Sequence, residues 1–164
     1  MKKRLWRLCL TLVLLVGMAG ISVSANEASE ERPVIDGSYL TQDEESVGYA
    51  TMKTRGEDLL MGYSKCARLG PEKLYAGGTT IAAHEVDEVG VGVLIERARN
   101  AEDDWTRYDG WNEFLKNTDR IASSRVLDVE GGYYYRVSCV HSAGEDVGDS
   151  FTDGIFIEED SIFP

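Results

Sequence analysis

The sequence predicts an all-β fold, a single antiparallel β-sandwich of about seven strands. Strict alternation in Gly131–Ala143 (GGYYYRVSCVHSA) predicts it first, with Tyr133, Tyr135, Val137 and Cys139 on one face and Tyr134, Arg136, Ser138 and Val140 on the other. A second alternating run, Asp87–Arg97, sets Val89, Val91, Val93 and Ile95 against Glu88, Gly90, Gly92 and Glu96. That period and its interleaved glycines exclude a helix. Third, from Leu59 onward short β-type runs alternate with Gly, Pro and Asp turn signals.

Residues 1–25 read as a signal peptide. Lys2, Lys3, Arg4 and Arg7 form a basic start, Leu8–Val16 an apolar run, and Val23-Ser24-Ala25 a small-residue cleavage site before Asn26. The run is too short for a comfortable membrane span, which favours cleavage over a retained anchor. These residues hold four of the 17 basic side chains and none of the 29 acidic ones, so the remaining 139 residues carry 13 basic and 29 acidic groups and a net charge of −16. Such a charge opposes binding to nucleic acid or to an anionic membrane. The expected product is secreted, extracellular and monomeric.

Residues 26–50 are acidic, polar and without a sustained period, and read as a flexible leader, with order beginning between Val47 and Leu59. The domain proper spans 51–158, followed by a short tail, 159–164. Its first strand runs Leu59–Leu69 and stops at Gly70-Pro71. The second, Lys73–Ala83, is rich in small residues (AGGTTIAA), which implies close backbone approach or a bulge. The third is Asp87–Arg97, whose buried Val and Ile side chains each contribute roughly 1.5–3 kcal/mol before entropy is counted. Asn100–Asp104 turns the chain into a fourth strand, Trp105–Phe114, with Asp109-Gly110 as a bulge or turn signal. A fifth, Arg120–Val129, leads to the Gly131 strand, and a last one carries Phe151, Ile155 and Ile157. One of the three tyrosines after Gly132 is expected to form a tyrosine corner, its hydroxyl bonded to backbone near Glu130.

Beyond the signal peptide two cysteines remain, Cys66 and Cys139, 73 positions apart. In an exported chain an even pair reads as a disulfide, here an inter-sheet staple contributing roughly 3–4 kcal/mol by the chain-entropy argument. An early and a penultimate strand each bearing a cysteine resemble immunoglobulin-type topology, although Trp105 follows Cys66 by 39 positions rather than closely. A jelly-roll-like sandwich is the alternative.

Chemistry-bearing residues are few. His84 and His141 are candidates to meet across a sheet and hold a divalent metal with Glu85 or Asp87, but strand-end histidines with ordinary hydrogen bonds are the commoner case. Glu145, Asp146, Asp149 and Asp153 form an oxygen-rich stretch (EDVGDSFTD) of the kind calcium prefers, without matching a loop signature. Trp105, Tyr108 and Trp111 are the candidate ligand-binding residues. Aromatic faces at a sandwich edge stack on sugars, and Trp105 and Trp111 share strand parity, although tryptophans in strands more often pack than bind. No nucleophile elbow or zinc-protease motif is present, and the surplus of carboxylates alone supports a glycosidase only if two converge. The expected function is a non-enzymatic extracellular or cell-envelope module without a cofactor, binding a glycan or a protein. A secreted hydrolase or metal-dependent enzyme using surface carboxylates is the alternative.

GYYYRV (Gly132–Val137) followed by His141, the final Gly154-Ile155, Arg55-Gly56-Glu57 before the first strand, and the Trp105/Trp111 pair behind an acidic turn also occur together in a known pattern. Over Ser38–Ile157 the chain resembles an uncharacterised family of small secreted domains of unknown function from Gram-positive, Firmicutes-type bacteria. The resemblance implies one exported all-β domain after a signal peptide and supplies no activity, cofactor or catalytic residue.

Overall fold

A computed structural model describes residues 35–160, all of them strand, turn or irregular chain with no helix. The signal-peptide reading of 1–25 lies outside the described residues. Among the described residues nine strands form one curled mixed sheet, a half-barrel: β1 (Leu40–Thr41), β2 (Glu45–Tyr49), β3 (Thr51–Met52), β4 (Leu59–Gly70), β5 (Lys73–Ala98), β6 (Thr106–Asp128), β7 (Tyr133–Ala143), β8 (Asp146–Phe151) and β9 (Gly154–Ile157). The all-β class holds. Nine strands stand where about seven were expected, and β1 pairs with β9 in parallel, so the sheet is not wholly antiparallel.

The count rises because β1, β2 and β3 precede the expected first strand and the expected last strand is two, β8 and β9, and it falls by two mergers. The expected second and third strands are one 26-residue strand, β5, and the expected fourth and fifth are one 23-residue strand, β6. The segment Ala82–Val86 holds no glycine or proline. The chain therefore bends without breaking, and five steps on β5 (Ile81 to Val86) face two on β6 (Arg120 to Thr118). On β6, Asn117 absorbs the bend at φ 51°, a left-handed conformation that asparagine tolerates better than most residues.

The bend folds the sheet onto itself. The first half of β5 pairs with β4, and the second half pairs with β7. Contacts bridge the halves: the Thr80 hydroxyl donates to the Gly90 carbonyl at 2.8 Å, and the Cys66 thiol on β4 donates to the Tyr135 carbonyl on β7 at 3.4 Å. Between them lie Val89, Val91, Val93, Ile95, Val137 and Ile155, all buried, as the alternation of Asp87–Arg97 predicts. Gly78 shows the close approach expected of the small-residue strand, since a Cβ there would sit 2.5 Å from Cys139 Sγ. The tyrosine corner is present as Tyr135, whose hydroxyl donates to the Glu130 carbonyl at 2.8 Å.

Part of the expected flexible leader, 26–50, is strand. β2 pairs with β4 (Val47 opposite Lys65), Lys65 bonds Glu45 at 2.6 Å, and the Ser46 hydroxyl accepts from the Asp153 amide at 3.0 Å. Alternation in ESVGY spans only five residues, too short to stand out against the acidic composition around it. Among the described residues no helix is long and apolar enough to cross a membrane.

The expected disulfide is not formed: Cys66 and Cys139 are both free and buried. Register explains it. Cys66 meets the carbonyl of Tyr135, four positions before Cys139 on β7, while Cys139 Sγ lies 3.8 Å from the Gly77 carbonyl. Four residues of strand correspond to roughly 13 Å of stagger along the backbone.

Candidate functional site

The residues that invite a chemical reading divide between the sheet interior and its outer face. In the interior, His141 is fully buried on β7. Its Nδ1 lies 2.9 Å from Thr80 Oγ1 and its Nε2 lies 2.8 Å from Ser150 Oγ. Because the Thr80 hydroxyl proton goes to the Gly90 carbonyl, Thr80 accepts from Nδ1–H, and Nε2 accepts from the Ser150 hydroxyl. Burial pushes the imidazole down to about 4, against a weaker opposing pull from Asp149. The ring is a neutral crosslink between β5 and β8. Ser150 and Thr80 are as buried as the ring, so this Ser–His pair has no path to substrate.

His84 does not meet it. It is exposed and paired with Asp58 at 3.1 Å. The thiols are likewise closed to chemistry, since burial pushes Cys66 and Cys139 up to about 12 and keeps both protonated.

The acidic stretch disperses. Asp146 turns inward, accepting from the Thr54 hydroxyl at 2.6 Å and from the Asp58 and Leu59 amides at 2.8 and 3.2 Å. These bonds, the Thr54 hydroxyl first, hold its carboxyl below the usual range. Asp149 pairs with Lys53 at 2.9 Å, Glu145 is exposed, and Asp153 is raised by burial and by Asp36 and Asp43. Among the described residues no three His, Cys, Asp or Glu side chains gather where they would hold a metal ion. Cross-strand spacing separates what sequence adjacency brings together.

The three aromatic candidates do not share a platform. β6 carries a bulge at Tyr108, since Ile95 faces Asp109 and Glu96 faces Arg107, and one extra residue reverses the side-chain parity beyond it. Trp111 packs on the core, its indole N–H donating to the Ser123 hydroxyl at 2.8 Å with the Arg125 guanidinium 4.2 Å from its ring. Tyr108 stands edge-on to Tyr135, ring centres 5.3 Å apart. Trp105 lies against Gly154, with the Arg136 guanidinium 4.2 Å from its ring.

What sequence reading missed lies on the outer face, where β6, β5 and β7 run side by side. A groove of about 320 Å³ opens there. Gly92 and Gly110 floor it: a Cβ at Gly92 would sit 2.7 Å from Asn112 Oδ1, and one at Gly110 would sit 2.9 Å from the Val93 carbonyl. Leu94 and Val140 form its apolar sides, and Trp111 contributes to its lining. Arg107, Asn112 and Ser138 bring its polar groups. None of these three side chains has a hydrogen bond or ion pair within the described residues. The glycine at 92 is the available signal: on the outward face of a central strand it leaves a trough where another residue would raise a ridge, whereas Gly90 is covered by Phe114 and Ser142.

Comparison with family models finds no match, and comparison with curated proteins finds no relative.

Proposed function

We propose that this chain is an exported, non-enzymatic extracellular or cell-envelope module that binds a glycan in the outer-face groove. The observation that carries the reading is a set of three unspent polar side chains, Arg107, Asn112 and Ser138, around a glycine floor on a paired sheet. Unpartnered polar groups set beside apolar walls are what a ligand needs for orientation and contact area, and strands hold them with little reorganisation on binding. The dispersal of Glu145, Asp146, Asp149 and Asp153 supports binding over a hydrolytic or metal-dependent role. The basic start and small-residue site of 1–25, and the resemblance to small secreted domains, support export. We take the folded-over sheet to be a divergent sandwich, in which β4 and β7 act as facing layers.

A glycan array tests the reading. Val140 is 56 % exposed, so Val140→Trp fills the groove without entering the core. The wild type is expected to bind a restricted set of glycans and Val140→Trp to lose them while keeping the wild-type Tm. A blank array, or signals indifferent to Val140→Trp, ends the proposal.

A further inference from the structure

We propose that the groove selects acidic sugars, with Arg107 contacting the carboxylate of a uronate unit; this rests on the glycan-binding reading above. In a strongly acidic chain a cation normally finds a carboxylate, and Arg107 sits directly across from one, Glu96. Yet Glu96 is held from its other side, with Arg136 Nε and Nη2 both 2.9 Å from its Oε2. The neighbouring carboxylates are also engaged. Asp109 accepts from the Gly110 amide at 2.7 Å and lies 4.0 Å from Arg125, and Asp149 pairs with Lys53 at 2.9 Å. Arg107 instead extends over Gly110, its Nη2 3.3 Å from where a Cβ would stand, and so lines the groove. A planar guanidinium without a partner is suited to bidentate capture of a carboxylate.

The remaining lining distinguishes a sugar from a peptide. Peptides that bind sheets generally add to a free edge through backbone hydrogen bonds. Here the floor strand, β5, is paired on both sides at Gly92, with Asn112 on one side and Val140 on the other. Its backbone is committed to the ladders, so recognition falls to side chains. Asn112 supplies an amide that both donates and accepts, and Ser138 supplies a hydroxyl that does the same. Those functions match ring hydroxyls, and Leu94 and Val140 offer apolar flanks for the sugar's C–H faces.

The test is titration calorimetry against oligogalacturonate, oligomannuronate and a glucuronate-containing oligosaccharide, each beside its carboxyl-reduced neutral counterpart. At least one acidic member is expected to bind, with its neutral counterpart about ten- to a hundredfold weaker, the range for losing a charge-assisted contact. Arg107→Gln is expected to lose the same factor, and Arg107→Lys to recover part of it. Equal binding of acidic and neutral forms, or wild-type affinity in Arg107→Gln, overturns the carboxylate inference and leaves glycan binding standing. Failure of every acidic and neutral sugar overturns both. Arg107-dependent binding of a short peptide through its C-terminal carboxylate, without sugar binding, overturns the sugar assignment. Thermal melting of each variant confirms that a lost signal is not a lost fold.

Discussion

The interior layer around His141 and the outer groove around Arg107 are both polar, and they differ in whether those polar groups are already used. Thr80, His141 and Ser150 bond one another in a closed chain that ends on the Gly90 carbonyl. Ser64 Oγ is the one buried side-chain polar atom left without a partner among the described residues. In the groove, by contrast, a guanidinium, an amide and a hydroxyl face outward without a hydrogen bond or ion pair among the described residues. Residue type misleads here: the interior has the serine, histidine and cysteines that suggest catalysis, and the fold uses them as struts. Arginine and asparagine, ordinary surface residues by composition, are the ones that hold no bond among the described residues.

The comparison breaks most severely if the interior chain proves dispensable. His141→Ala removes a fully buried ring and leaves Ser150 without its acceptor. Cavity and orphaned-hydroxyl effects together predict a loss of about 3–4 kcal/mol, read from urea denaturation at neutral pH. A loss under about 1 kcal/mol would mean that the ring is not a strut, and access to Ser150 would have to be reconsidered.

Acidification probes the same ring without mutation. The folded-state value of about 4 lies below the ordinary histidine value of 6.5. The unfolded chain therefore binds the proton first, and stability is complete above pH 6.5 and declines as pH falls toward 4. The full decline is on the order of 3 kcal/mol. The groups packed about the ring are neutral hydroxyls, with Asp149 the nearby charge opposing the shift. Carboxylates held low, such as Asp146, lose their contribution only below the usual carboxylate range, beneath this window. Asp153, held high, acts in the opposite sense near its foot. A stability curve flat between pH 7 and pH 5 would contradict the buried neutral ring.

How much of this was legible follows from what each signal requires. The core face of β5 could be read because Val89, Val91, Val93 and Ile95 repeat at the strand period over a long enough run. The tyrosine corner followed from three tyrosines after a glycine turn. Cys66 and Cys139 could be placed on strands, but their register could not, because the bends near Ala82–Val86 and Asn117 set it and leave no breaker residue as a sign. The bulge at Tyr108 was one residue from the Asp109-Gly110 signal, and that displacement was enough to separate Trp105 from Trp111. The groove stayed hidden because its residues come from three strands, and no local pattern joins Arg107 to Ser138.

The smallest expected effect decides whether the outer groups are free. Arg136 bonds Glu96, donates to the Gly37 carbonyl at 2.6 Å and covers Trp105, so Arg136→Gln leaves a half-buried carboxylate unpaired and should cost about 1–3 kcal/mol. Arg107→Gln removes the same charge from the other side of the same glutamate, yet breaks no bond within the fold. Its effect should stay within about 0.5 kcal/mol, as for a surface change away from packed contacts. Urea denaturation of the two variants side by side gives the answer. If both cost the same, Arg107 is committed to holding Glu96 in place and the groove keeps no cation for a ligand; if only Arg136→Gln is costly, the guanidinium over Gly110 is stabilising nothing in the folded chain and is available to an anion from outside it.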